Sequence, residues 1–228
     1  MTLTDAQLAH VLAEEAGKRL LEAREKLRTM EADTWLAKDV GDAIAQQYLN
    51  EALSEHRPND AILSEEALDD DRRLTADRVW IIDPLDGTQE FSEFDRSDWA
   101  VHIALWQRSS GSQGELTAGA VALPSLSLTL GTSPAPQPPT RQDRTPLMVV
   151  SRSRTPAVAA AVAQELGFDG VRQRINGSND GNRYTSEISE RRPYGIGQAS
   201  LLGHFGKSLE YGLDARRWHS QSEQKWVF

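Results

Sequence analysis

The sequence predicts an α/β (α+β) protein, built as one large domain or two small lobes, on three observations. A helical stripe opens the chain, a series of short apolar runs between turn signals follows, and a strand–helix pair comes after a proline-rich connection. Thr4-Asp5-Ala6-Gln7 has the form of a capping box. Beyond it Leu8, Leu12, Ala16, Leu20, Ala23 and Leu27 recur at three- and four-residue spacings, which predicts a long helix with one buried face. Glu14, Glu15, Lys18, Arg19, Glu22 and Arg24 read as its solvated face, not as a binding patch. A second helix is predicted from near Asp42 to about Glu55, with Ala45, Leu49, Ala52 and Leu53 inward, ending before Pro58.

The strands follow from apolar runs. Ala61-Ile62-Leu63 ends in Ser64-Glu65-Glu66, so it reads as a strand that delivers acids at its C-terminal end. Val79-Trp80-Ile81-Ile82 is apolar throughout, which predicts cover on both faces. Trp99–Trp106, Leu116–Leu123 and Leu126–Leu130 continue the series, separated by Ser109-Ser110-Gly111 and Pro124-Ser125. Pro134–Pro139 is the expected lobe boundary, and Leu147–Val150 then reads as a strand. A helix from about Ala157 to Leu166 should end at Gly167. The expected division is an N-terminal lobe over 1–133, the start of a second lobe over 134–171, and a segment of different character over 172–228.

Composition bounds the function. The 228 residues and 39% hydrophobic content allow a sizeable core. A formal net charge of −9 argues against nucleic acid or an anionic membrane as partner, while a divalent cation could still reverse the local field for an anionic substrate. There is no cysteine, which excludes disulfides and thiolate chemistry in these residues. The first residues show no basic, apolar leader, and no stretch approaches a membrane span, so a cytoplasmic location is expected.

Chemistry concentrates in Asp83-Pro84-Leu85-Asp86-Gly87-Thr88, directly after the Val79–Ile82 run. Pro84 fixes its own φ and Gly87 permits a positive one, so a stiffened loop can aim Asp83, Asp86 and the Leu85 carbonyl at one point. The N–H groups that follow can hold an anion beside it. Hard oxygen donors next to an anion cradle suit magnesium-assisted phosphoryl transfer. An ordinary Asp-Pro/Asp-Gly turn is the competing reading of either dipeptide alone.

With Asp42 and Glu65-Glu66 upstream, the ordered set D…EE…DPLDGT, preceded by Trp80-Ile81-Ile82, closely resembles the inositol monophosphatase superfamily. Within it, the chain resembles the CysQ-type 3′(2′),5′-bisphosphate nucleotidases. The segments that carry this are Leu63-Ser64-Glu65-Glu66, Asp86-Gly87-Thr88-Gln89-Glu90-Phe91, Asp98–Leu105 and Val150-Ser151-Arg152-Ser153-Arg154. The resemblance, drawn over roughly residues 5–170, implies a layered αβαβα fold and a Mg2+-dependent phosphatase. Its implied substrate is 3′-phosphoadenosine 5′-phosphate, and a homodimer is the usual assembly. It makes Glu65, Asp83, Asp86 and the Leu85 carbonyl metal ligands, and assigns Asp42 to a further metal ion or its water. Thr88 would orient the attacking water, and the N–H groups of Gly87 and Thr88 would hold the phosphate. Glu66 is either a base behind the ligands or a solvated neighbour. His102 reads as a packed, hydrogen-bonded histidine ahead of a catalytic one. Arg152 and Arg154 read equally as phosphate contacts or as a solvated loop. Inositol monophosphate and fructose bisphosphate are the alternative substrates.

The last quarter departs from this pattern. Residues 172–228 carry nine Lys/Arg against six Asp/Glu, whereas the first 171 carry 16 against 28. The family's second signature, W-D-x-[AGS], is missing, with Tyr211-Gly212-Leu213-Asp214-Ala215 near its expected place. The expectation is a tail altered by a reading-frame shift, with a divergent or degenerate tail as the alternative, poorly ordered and leaving incomplete the lobe it should complete. A non-catalytic remnant is then the rival to an enzyme.

Overall fold

The computed structural model describes residues 2–68, 70–109, 114–136, 148–150, 157–168 and 171–173. They belong to two compact units, one before the proline-rich connection and one after it. The expected tail properties, Asp214, Arg152 and Arg154 lie outside the described residues.

The first unit begins with α1 (Asp5–Thr29). Its capping box forms as expected: the Gln7 N–H donates to Thr4 Oγ1 at 3.3 Å and the Thr4 N–H to Gln7 Oε1 at 3.0 Å. All six positions of the apolar stripe are buried, joined by Ala9, Ala13 and Gly17. Arg24 departs from the solvated face assigned to it. It is half-buried, and its guanidinium reaches backbone carbonyls 66 to 69 residues along the chain.

The second helix, α2 (Thr34–His56), starts well before Asp42. Asp33 is its cap, accepting from the Leu36 N–H at 2.8 Å, so Asp42 lies in the helix interior and not at its start. The reason lies in the first turns. Trp35 is 75% exposed and Leu36 is also exposed, while the buried positions are the small Ala37 and Gly41, so no apolar stripe marks the helix there.

Five strands form one sheet in the order β1 (Ala61–Ser64), β2 (Arg78–Asp86), β3 (Ala100–Arg108), β4 (Gly114–Leu123) and β5 (Leu128–Gly131). β1 and β2 are parallel, and every other pair is antiparallel. The parallel pair is joined through a crossover holding the single-turn helix α3 (Arg72–Thr75). Pro124-Ser125, expected as a turn, forms with Leu126 a 3-10 turn, so β5 begins at Leu128 and not at Leu126. Side chains alternate across the sheet. Trp80, Ile82, Val101, Ile103, Leu105, Ala118, Ala120 and Ala122 join the core with α1 and α2. Val79, Ile81 and Ala104 pack on the other face with Ala61, so β2 is buried on both sides, as its apolar run predicts. α1 packs on β4, and both elements bring buried alanines to the same core cluster. Each large core side chain contributes about 1.5–3 kcal/mol by leaving water.

The second unit contains β6 (Met148–Val150), α5 (Ala159–Glu165) and β7 (Val171–Gln173), with the two strands parallel. The helix ends as expected at Gly167, whose φ of 68° closes a Schellman motif: Phe168 N–H to the Ala163 carbonyl, 2.8 Å, and Gly167 N–H to that of Gln164, 3.1 Å.

Candidate functional site

Parallel strands that lie side by side end on the same side of a sheet, and ligands gather beyond such ends. Ser64 of β1 pairs with Ile82 of β2, so Glu65-Glu66 and Asp83 emerge together. The Glu65 N–H donates to the Ile82 carbonyl at 3.3 Å, which fixes this juxtaposition. The segment after Ile82, expected as a loop, continues β2 as far as Asp86. Asp83 pairs with His102 and Asp86 with Ala100, so three steps on β2 oppose two on β3. This is a bulge, and Pro84 suits it because proline has no N–H to offer a ladder. Asp83 stays buried at 4% exposure, and Leu85 is buried beside it.

Gly87 turns the chain with φ 84° and ψ 44°, a conformation that disfavours a side chain, and a Cβ there would lie 3.2 Å from the Asp98 carbonyl oxygen. The short helix α4 (Thr88–Ser92) follows at once. The Thr88 hydroxyl lies 3.1 Å from the Leu85 carbonyl oxygen and 3.4 Å from Asp42 Oδ1. Its one proton is shared between these two acceptors, the nearer carbonyl and the Asp42 carboxylate. Asp42 thus reaches the bulge from the interior of α2.

The electrostatics are those of crowded acids. Burial, then Glu66, push Asp42 up to about 7, with Asp83 and Asp39 adding to this and the Thr88 hydrogen bond opposing it. Desolvation and then Asp83 raise Glu66, although much of its side chain is exposed. His102 is fully buried, with Nε2 3.2 Å from Asp86 Oδ2, which agrees with the packed, hydrogen-bonded reading.

Three features were not legible beforehand. Gly41, one residue before Asp42, is where α2 comes down on the bulge: a Cβ there would lie 2.7 Å from Phe91 Cε1 and 2.8 Å from Leu85 Cδ2. Arg96, buried, holds Glu90, Glu93 and Asp98 at 2.7–3.1 Å and so ties α4 to the approach to β3. Lys38, one turn before Asp42, hydrogen-bonds Gln89 beside Thr88. Gly41→Val is therefore expected to cost about 1–3 kcal/mol by overpacking and to displace Leu85. Chemical denaturation would check this, and an unchanged midpoint would show that α2 and the bulge yield freely.

The profile of the inositol monophosphatase family matches residues 3–202. The chain belongs to that family. The match runs past Arg172, further than the motifs alone carried the resemblance. A curated relative from Mycobacterium bovis, named 3′-phosphoadenosine 5′-phosphate phosphatase, is 48% identical over 165 residues, which is 69% of this chain and 59% of that protein. The chain thus spans about six-tenths of the length of that relative. Inositol monophosphatase II from Staphylococcus aureus superposes with a TM-score of 0.58 at 20% identity, covering 73% of this chain and 65% of the other. CysQ from Bacteroides thetaiotaomicron, described as a bacterial member of the inositol monophosphatase family, gives 0.55 at 22% identity, covering 74% and 71%. The mixed helix and five-strand architecture is therefore that of the inositol monophosphatase fold.

Members of the inositol monophosphatase family are generally metal-dependent, and the residues of this chain suit magnesium by donor type. Asp42, Asp83 and the Leu85 carbonyl offer hard oxygens, and the raised pKa values of Asp42 and Glu66 mark carboxylates whose crowding a cation would relieve. Among the described residues, no three His, Asp or Glu side chains are drawn together as a ready-made metal cage. No described helix is long and apolar enough to cross a membrane.

Proposed function

We propose that this member of the inositol monophosphatase family is a magnesium-dependent phosphatase that removes the 3′-phosphate of 3′-phosphoadenosine 5′-phosphate. The observation that carries the reading is the meeting of Asp42, Thr88 and the Leu85 carbonyl at the ends of β1 and β2, amid acids that raise one another's pKa. The substrate rests on the 48% identity to a protein named for that activity.

Glu65, Asp83, Asp86 and the Leu85 carbonyl would hold the metal. When bound, magnesium supplies the charge that offsets the carboxylates and the substrate phosphate. The chain's own groups do the positioning. Asp42 and the Thr88 hydroxyl orient a water for in-line attack on phosphorus, with Asp42 the acceptor for its proton. The N–H groups of Gly87 and Thr88, at the turn into α4, face the phosphate oxygens. His102 keeps the Asp86 carboxylate aimed from behind. The bond from phosphorus to the 3′-oxygen breaks as the bond to water oxygen forms, giving AMP and inorganic phosphate. Arg152, if it contacts substrate, does so from outside the described residues.

A panel of phosphate esters scored by kcat/KM in the presence of magnesium tests this. The 3′-phosphoadenosine 5′-phosphate value should exceed those for inositol 1-phosphate and fructose 1,6-bisphosphate by about tenfold or more, a margin of about 1.4 kcal/mol. A preference for either rival ester would reassign the substrate. No phosphate release from any ester would favour the non-catalytic remnant.

A further inference from the structure

The contacts of Arg24 are unlike those of a surface arginine. From α1 its Nε donates to the Phe91 carbonyl at 2.8 Å, and Nη2 donates to those of Glu93 at 2.6 Å and Glu90 at 3.4 Å. The guanidinium carbon also lies 5.6 Å from the centroids of the Phe91 and Trp99 rings and 5.9 Å from that of Phe94. The three carbonyls belong to the C-terminal end of α4 and the residue after it. The Glu90 carbonyl also accepts from the Glu93 N–H at 3.3 Å and the Glu93 carbonyl from the Arg96 N–H at 2.9 Å, and a cation added at this helix end complements the helix dipole.

A five-residue helix cannot hold itself in place, because nucleation costs more than so few hydrogen bonds return. Its position has to be imposed from outside. Phe91 is fully buried and meets the Trp99 ring edge-on at 5.1 Å, and Arg96 gathers the carboxylates of Glu90, Glu93 and Asp98. These contacts hold side chains of the segment. Arg24 grips its backbone, and the same five-residue rod carries Thr88 at its other end. A shift of α4 along its axis carries the Thr88 hydroxyl with it and changes its distance to Asp42. A misplacement of about 1 Å at a reacting centre can cost on the order of a hundredfold in rate.

We propose that Arg24 is a positioning residue for the phosphatase site: by clamping the C-terminal carbonyls of α4 it sets where Thr88 stands relative to Asp42. The proposal rests on the phosphatase reading for its kinetic arm only. Lysine at this position keeps charge and stem but offers one ammonium in place of a planar fork, so it cannot serve three carbonyls in the same geometry.

Arg24→Lys and Arg24→Gln are the variants, compared with the parent by hydrogen exchange read peptide by peptide and by steady-state kinetics on 3′-phosphoadenosine 5′-phosphate. Exchange in the peptide spanning 87–94 should rise at least about tenfold in Arg24→Gln, less in Arg24→Lys, while residues 8–20 of α1 keep their protection. The kinetic expectation is a fall in kcat of about tenfold to a hundredfold with KM within about threefold, and partial recovery of the glutamine variant by millimolar methylguanidinium. Exchange rising evenly over the whole chain, or a loosened 87–94 segment with kcat unchanged, would overturn the proposal. Should the parent release no phosphate, the functional reading fails by itself, and the exchange arm still decides whether Arg24 holds the segment.

Discussion

Replacing Asp83 by Asn is expected to reduce kcat/KM by on the order of a hundredfold or more while leaving the fold intact or slightly more stable. The substitution keeps size and removes one charge from a position that is 4% exposed. Asp83 raises the pKa of both Asp42 and Glu66, so neutralising it relieves repulsion in the metal-free protein at the same time as it weakens the hold on magnesium. Activity and stability should therefore move in opposite directions, which simple damage to the fold would not do. Asp86→Asn should share the loss of metal affinity but without the gain in stability, because Asp86 faces His102 across 3.2 Å. Calorimetric titration with magnesium and thermal melts on both variants check this. Unchanged binding in both would remove the bulge from the metal site.

The metal-free protein should lose stability as pH rises from about 4 to about 7. Asp42 ionises near 3.8 as a free side chain but holds its proton to about 7 in the fold, chiefly because it is buried and secondly because Glu66 faces it. Across that window the unfolded chain binds fewer protons than the native one, so the contribution is fully present below the lower value and lost through the upper. Glu66, raised for similar reasons, acts with the same sign. In chelator the melting temperature at pH 8 should lie about 2–4 °C or more below that at pH 5, about 2–4 °C being the scale of roughly 1 kcal/mol in a chain of this length. Asp42→Asn should flatten most of this dependence. Magnesium, binding only the native state, should raise the pH 8 value selectively. A wild-type melting temperature that rises over the same window, or an Asp42→Asn profile parallel to it, would show that the cluster is better solvated than its burial implies.

How much of this was readable in advance follows from how local each signal is. The stripe from Leu8 to Leu27 and the cap at Thr4 are set by neighbours a turn apart, and both form. Asp83-Pro84-Leu85-Asp86-Gly87-Thr88 announces itself because each residue carries its own backbone constraint, although whether it would stand as a loop or as a bulged strand depended on pairing with β3. The start of α2 was hidden because Trp35 and Leu36 point outward and the inward residues are small. Gly41 reads as a helix weakener until Phe91, 50 positions later, is known to lie against it. Arg24 reads as solvated charge because periodicity records which face a residue is on, and not how far a long side chain can reach.

The strand order also bears on how the chain comes to be folded as it is made. In the first unit, β2, β3, β4 and β5 pair in the order in which they are synthesised, and the crossover among the described residues links β1 to β2 through a short excursion. Neighbours in space are near neighbours along the chain, and such topologies close their contacts without waiting for distant segments. Every acid proposed for the site precedes residue 87, and β5 ends at Gly131, so the sheet and its bulge can assemble on the ribosome before the strands of the second unit emerge. A nascent chain arrested shortly after the proline-rich connection clears the exit tunnel should already protect β2 from protease, before the strands of the second unit have emerged.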